Sequence, residues 1–473
     1  MAAEAANADH PGYTRENAII FALCCLGVQI FMAYNGGATT GSIDIIQRTP
    51  PQWNDADLGL LAAMDKIGMT ISSPIWGYFL QFCEPKLLLI CGLATNAGAT
   101  LAFGLSTSHP TMLIAKLLIG FTEGLQWVWS QTWVVKHAGG YPLFLNMNMI
   151  SAGVGMVLGI GISGFSIAHG SSYGFAFQVA GFCLAALWCC LLFVRGGGVA
   201  LYSQEFAVPG SPVRRMPVKD VLKMLTKRPI YYYTATAFAF CMWLQTGCQF
   251  VWTRVFIEVW QVSRDHATLT LLVTPIIGSV LGYAFGSGWK FNTQQATAST
   301  LRKCAYAASV TVIGAVLVLF GMFIQMKEEF LQISWLYSLS LSYIGFTLVF
   351  AGDVAMMGAL LGICTDCIED RSIRGLCVGL QQAMSNCFGL AVSPLCPQLV
   401  MFLAHRAFNI PDHDAPPIII FCGTFTTLCG TLVTLFCCSR VAVHSRKQAD
   451  VQVRLSPGEI CITGTPSQTY AGA

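Results

Sequence analysis

The chain has 473 residues, of which 55% are hydrophobic and only 10% charged, where an ordinary soluble chain carries about 25% charged residues. At roughly 20 apolar residues per crossing helix, that length allows about a dozen spans and leaves no room for a sizeable soluble domain. The net charge of +3 is too small to point to nucleic acid, so where the charges fall says more than their sum.

Residues 1–17 hold acidic groups and lack the basic opening of a cleaved signal peptide, which predicts a first span retained as an anchor. Six apolar runs follow: Ala18 to Ile43, Leu58 to Phe82, Leu87 to Leu105, Met112 to Val135, Leu143 to Ile167 and Tyr173 to Val194. Residues 195–229 contain VPGSPVRRMPVKD, whose prolines and charges cannot cross lipid, so they predict a linker. The second set runs Ile230 to Trp260, Ala267 to Gly286, Cys304 to Gln325, Ile333 to Ile363, Leu376 to Leu403 and Ile418 to Cys438. A polar tail, 440–473, is predicted to be disordered.

With both ends placed in the cytosol, 19 Lys and Arg fall on that side, and only Arg48, Arg264, Lys327 and Arg406 fall on the other. The positive-inside rule therefore favours cytosolic termini. The second run ends PIWGYFLQF from Pro74 and the eighth ends PIIGSVLGYAF from Pro275; the shared Gly-Tyr exit suggests duplication. The predicted architecture is an all-α membrane protein of twelve transmembrane helices in two pseudo-symmetric six-helix bundles, residues 18–194 and 230–439.

An ionisable group at membrane depth is costly and is by default a functional candidate. Glu123 lies mid-way along the fourth run. Lys116 stands seven residues before it, and Gln126, Trp127, Ser130 and Gln131 follow at spacings of three, four, seven and eight. These spacings predict one polar, aromatic stripe turned to a cavity between the halves. Glu123 would there exchange a proton as the cavity changes sides; the alternative is a fixed ion pair with Lys116 that only positions helices. Asp65 and Lys66 are adjacent in the second run. Neighbours on a helix point about 100° apart, so each is expected to find a partner on another helix, with Lys66, Thr70 and Ser73 sharing a face. Asp353 in the tenth run corresponds to Glu123 in the repeat, FAGDV beside GFTEG, as a second titratable or cation-binding group or as the cap of a gate. Gln245, Gln249 and Trp252 share a face of the seventh run, where amides suit a substrate or a helix contact, and Arg254 with Glu258 reads as a local surface pair. GVGMVLGIGISG from Gly153 reads as a packing and rocking surface.

Most of the 20 cysteines lie in apolar runs, Cys189, Cys190, Cys241, Cys387 and Cys429 among them, and read as small buried hydrophobes. Cys364 and Cys367 form a single CxxC, a weak zinc signal, and Cys437 with Cys438 are candidates for acylation. No catalytic spacing of Cys/His or Ser/His/Asp is found, so the chain is expected to be no enzyme, with no cofactor and no metal site.

GLLAAMDKIGMTISSPIWGYFLQF from Gly59, KLLIGFTEGLQW from Lys116 and EDRSIRGLCVGLQQAMSNCFGLAVSPL from Glu369 resemble the second, fourth and eleventh helices of the major facilitator superfamily, with its spinster-like branch nearest. The resemblance places Glu123 at that family's buried glutamate and makes Lys86, Arg371 and Arg374 gate residues, with Gly389, Ser393 and Pro394 in the matching entry to the eleventh helix. Three positions depart from it. Gln81 and Phe82 replace an acid and an arginine, the first span reads AYNGGATTGS without the family's Asp-Arg pair, and Lys116 stands for an arginine, which turns a bidentate clamp into a point charge. Spinster-like proteins export lysophospholipids or phosphorylated sphingoid bases, so the resemblance implies an amphipathic substrate. Trp127, Trp129, Trp133, Trp243 and Trp252 would line a greasy cavity, and Lys116 or Lys66 would receive a phosphate. The expected function is secondary active or facilitative transport by alternating access, as symporter or antiporter, with protons the candidate coupling ion. The alternatives are a carrier of a small polar organic solute and a non-transporting membrane sensor. The expected partners are membrane lipids and the substrate, the expected state is a monomer, and no address chooses between plasma and endolysosomal membrane.

Overall fold

The computed structural model describes residues 15–48, 53, 55–137, 142–201, 217–258, 260–289, 294–326, 335–368, 373–392, 429–430, 432–441 and 443. Helix α1 passes from Arg15–Ile20 through a π-helical stretch, Phe21–Gly27, into Val28–Arg48. Helices α2 (Asp55–Phe79), α3 (Pro85–Leu105), α4 (His109–His137), α5 (Pro142–Ala168) and α6 (Gly174–Phe193) follow. Two short linker helices, Gly196–Val199 and Val218–Leu225, precede α7 (Pro229–Glu258), α8 (Arg264–Gly286) and α9 (Gln294–Met326). The described chain closes with α10 (Trp335–Asp366), α11 (Arg374–Val392) and α12 (Leu432–Val441). The side chains of Trp243, Gln245, Gln249, Trp252, Arg254, Glu258 and Gly389, together with Arg371, Ser393, Pro394 and the tail beyond 443, lie outside the described residues.

Among the described residues no strand occurs, and seven helices are long and apolar enough to cross a membrane. Helices α2 and α4 are long enough but less apolar, because each turns polar side chains inward: Asp65, Ser72 and Ser73 in one, Lys116, Glu123, Gln126 and Gln131 in the other. The packing is pseudo-symmetric. Helix α2 packs on α4 as α8 packs on α10, α1 on α5 as α7 on α11, and α3 on α4 as α9 on α10; across the halves, α2 meets α11 as α8 meets α5. Among the described residues, advancing these helices by six therefore maps these contacts onto one another.

Small residues let these helices touch backbone to backbone, which is how helices gain contact where lipid removes the hydrophobic drive. A Cβ on Gly155 would fall 1.9 Å from the Ile30 carbonyl oxygen, and one on Gly37 would fall 1.9 Å from that of Met156, which locks α1 to α5. At the α2–α4 crossing, a Cβ on Gly120 would fall 1.7 Å from the Asp65 carbonyl oxygen. The predicted glycine-rich surface of α5 is thus a packing surface, occupied on one side by α1.

At the end of the bundle that carries the linker, one face of α4 holds the chain that leaves α6. Trp129 Nε1, Trp133 Nε1 and Lys136 Nζ donate to the carbonyls of Val199, Gly198 and Ala200 at 3.0, 2.8 and 2.9 Å. Lys86 Nζ donates to Leu192 O at 3.2 Å. Arg374 Nε donates to Ile368 O at 3.2 Å, and Arg228 donates to the Cys367 carbonyl. Basic groups on the carbonyls that follow the C-terminal end of α10 also complement its dipole. The expectation of buried cysteines holds for Cys241, whereas Cys189, Cys190 and Cys387 are exposed on the helix surface, and Cys437 and Cys438 are buried, which withdraws them from acylation.

Gly120→Leu is expected to force α2 and α4 apart, at a cost of about 1–3 kcal/mol or more, and to abolish the monodisperse peak of detergent-purified protein. Gly98→Leu, where nothing lies within 4 Å of the added Cβ, should leave the peak and the melting temperature unchanged.

Candidate functional site

The crossing at Gly120 decides which charges meet. Gly120 lies on the Asp65 carbonyl, and Glu123 follows one turn later on the same helix, so the packing sets Asp65, Lys66 and Glu123 on one wall. That wall bounds a cavity of about 530 Å³ between the halves, within the roughly 300–1,000 Å³ common for small-molecule sites. Trp127 joins the wall from α4. The remaining sides come from α1, α5, α7, α8 and α10 and are apolar or thioether-bearing, with Met32, Met149, Met156, Leu271 and Phe350 among them. Their hydroxyls are few: Ser151, Thr274, Ser279 and Tyr283. Among the described residues the charged liners are Asp65, Lys66 and Glu123 alone.

Asp65 and Lys66 were expected to find partners on other helices, and instead they pair with each other. Lys66 Nζ lies 3.7 Å from Asp65 Oδ2, and the Lys66 backbone N–H donates to Asp65 Oδ1 at 2.7 Å. The 100° separation of neighbours fixes only their Cβ directions. The long lysine stem curls back because both groups open on the same cavity, and Nζ also lies 3.7 Å from Met69 Sδ. Thr70 and Ser73 do not join the wall, since their hydroxyls donate to the Lys66 and Met69 carbonyls at 2.8 and 2.7 Å. No described side chain donates a hydrogen bond to the Glu123 carboxylate. It lies within electrostatic reach of Lys66, Asp65 and Lys116.

Lys116 takes another place. It is 1% exposed, outside the cavity lining, and its ammonium sits 5.0 and 5.6 Å from the ring centres of Phe103 and Phe177. It donates to the Thr39 hydroxyl and, at 3.4 Å, to Asn35 O. Desolvated cation–π contacts of this kind contribute about 2 kcal/mol. Glu123 and Lys116 share a face of α4, but two turns apart that face meets different neighbours: α1, α3 and α6 cover Lys116, while the cavity opens at Glu123. The Glu123–Lys116 ion pair is therefore absent.

The rest of the predicted stripe divides in the same way. Gln126 Nε2 donates to the carbonyl of Cys24 in the π-helical stretch. Ser130 receives Asn148 Nδ2 at 3.3 Å. Gln131 is buried with neither amide atom partnered. Trp129 and Trp133 hold the chain after α6 and do not line the cavity. Asp353 is fully buried inside the second half, with Thr311 and Cys241 in its polar surroundings, and does not reach the cavity. Sequence reasoning passed over the methionines and phenylalanines of α5 and α10, which inside an apolar run carry no signal that separates cavity wall from core.

The sequence profile of the Major Facilitator Superfamily matches residues 18–394. A search of curated protein sequences finds no match. Among solved structures of similar fold is the proton:xylose symporter XylE, described as an MFS protein bound to 6-bromo-6-deoxy-D-glucose. It is 15% identical with a TM-score of 0.57, over 87% of this chain and 94% of that one. The human organic anion transporter MFSD10 (TETRAN) is 14% identical with a TM-score of 0.58, over 89% and 99%.

Two lysines in different surroundings should fail differently. Lys116→Ala is expected to cost about 2–5 kcal/mol of stability, as large-to-small changes in a packed core do, with ligand affinity unchanged. Lys66→Ala should weaken ligand binding by about tenfold, the loss of one charge-assisted contact, with little change in melting temperature. Thermal unfolding and binding measured on the same preparations check both.

Proposed function

The chain belongs to the major facilitator superfamily, and from that premise we propose that it is an alternating-access carrier of an amphipathic substrate, coupled to protons through Glu123. The observation that carries this reading is the division of the cavity into one charged wall and several apolar ones. A charged head suits the wall of Asp65, Lys66 and Glu123, and an apolar body suits the thioether and aromatic sides, where flexible methionines adapt to shape. A lysolipid or sphingoid-type molecule has this division. A sugar or amino acid does not, because most of its hydroxyl and amide groups would lie against side chains that cannot hydrogen-bond to them.

Residues 18–194 and 230–439 are the two rocking units, with the linker and both termini in the cytosol as the distribution of Lys and Arg favours. Glycine-lined contacts between helices of different halves suit such motion, since small residues slide without interlocking. Glu123 is the coupling group. It faces the cavity and receives no hydrogen bond from a described side chain, so either a proton or the cationic part of a substrate is free to meet it.

In proteoliposomes, labelled lysophosphatidylcholine should enter faster than by leak, and an inward proton gradient should change the rate, while amino acids and sugars are not moved. Glu123→Gln is expected to remove the response to the gradient and to retain exchange of substrate at equal pH. If the wild-type protein moves none of the lysolipid, the reading is wrong.

A further inference from the structure

The linker ends in an eight-residue helix, Val218–Leu225, none of whose residues lines the cavity. At about 100° per residue, its side chains divide into three adjoining strips. Val221 and Leu225 are buried in a cluster with Tyr231 of α7, Ile368 beyond α10, and Leu376 of α11. Val218 and Leu222, one turn apart on the next strip, are 39% and 46% exposed. Lys219 and Lys223 make the third strip, and Lys227 follows four residues on, where its N–H bonds the Met224 carbonyl at 3.1 Å in the turn before α7. All three lysines are exposed, and Asp220 is the single acid of the helix.

The surroundings place this helix at the bilayer surface. Tyr232 and Tyr233, in the first turn of α7, are exposed. At the linker end of α2, Phe79 and Phe82 are exposed, and Phe82 stands edge-on to both Phe79 and Tyr78. Tyr78 packs against the same cluster that receives Val221 and Leu225. Aromatic rings exposed at the ends of spans mark the headgroup zone. At that depth a helix with one apolar strip spent on protein, a second left open and a cationic edge beside it has the make-up of a surface-seeking element. The cluster also reaches the seam between the halves: the Cα of Leu376 lies 2.8 Å from a Cβ built on Gly77 of α2.

We propose that the linker helix is a docking surface for anionic phospholipid headgroups. Lys219, Lys223 and Lys227 meet the negative groups of the lipid, Val218 and Leu222 enter the interface, and the occupied helix is held against the foot of the α2–α11 seam. Three ammonium groups against one carboxylate select anionic over zwitterionic headgroups by sign. The inference stands apart from the carrier reading and from the identity of the substrate.

The test uses the full chain in dodecyl maltoside micelles doped with phosphatidylserine or phosphatidylcholine, with the melting temperature as readout. Phosphatidylserine should raise it at lower concentration than phosphatidylcholine, and in about 1 M salt that preference should fade. Exchanging Lys219, Lys223 and Lys227 together for Gln should raise the phosphatidylserine concentration at half the shift by about tenfold or more, at about 1 kcal/mol, or fivefold, per lysine. Leu222→Ser should raise it by about fivefold, through lost apolar contact. Exchange of Arg302 and Lys303, exposed near the start of α9, for Gln removes two cations elsewhere and should leave it within about twofold. The lipid-free melting temperature of each variant separates loss of docking from loss of fold. An unchanged half-point in the triple lysine variant or in Leu222→Ser, an equal rise in the Arg302 and Lys303 control, or the same shift from glycerophosphoserine, which has the headgroup without chains, overturns the proposal.

Discussion

Hydrocarbon offers neither water nor counter-ions, so each charge that this chain carries to membrane depth must be met by something polar within the protein. The structure meets that demand in separate ways on neighbouring helices. Lys116 is sealed between two phenylalanine rings, a hydroxyl and a backbone carbonyl. Asp65 and Lys66 answer each other at 3.7 Å and share the remaining duty with the cavity. Glu123 is left facing the cavity with no donor from the described side chains, and in that it differs from Lys116.

Backbone contacts set which charges are sealed and which are shared. Glycine at position 120 brings α4 onto α2 at Asp65, and Glu123, one turn on, opens on the space the helices leave between the halves. Two turns before Glu123, at Lys116, the same face of α4 passes under α1 at Asn35 and Thr39. The helix is uniform along this stretch, and only the neighbour changes. Helical periodicity therefore places residues around an axis but does not say what stands opposite them at a given depth.

That distinction explains how much could be read from the residues alone. The all-helical architecture and the repeat followed from hydropathy and sequence echoes, because lipid imposes a length and a composition on anything that crosses it. Glu123 and Trp127 were reached from their central position, and both line the cavity. Lys116 had the same periodic credentials and lies elsewhere, since its partners come from α1, α3 and α6, which no spacing within α4 encodes. The pairing of Asp65 with Lys66 was missed for the opposite reason: Cβ geometry forbids less than a flexible four-carbon stem permits. Trp129 and Trp133 looked like cavity aromatics, but their indole N–H groups are spent on Val199 and Gly198, in the short helix Gly196–Val199, whose glycines gave no hint of being held.

The repeat itself shows how one motif can serve two ends. Both halves close a helix with Gly-Tyr, at Gly77 in α2 and Gly282 in α8. Gly77 turns outward across the halves and lies against Gly375, whereas a Cβ at Gly282 would fall 2.4 Å from the Ala351 carbonyl oxygen of α10, inside its own half. A glycine used across the interface holds the two halves at contact distance. The same glycine used within a half ties α8 to α10 and leaves its outer partner α5 unmatched at that level. Duplication thus supplies equivalent backbones, and the direction in which a single small residue is spent decides whether the seam is closed at that level, as at Gly77, or parts beyond Pro275. A fold with exact two-fold symmetry would have two equal seams.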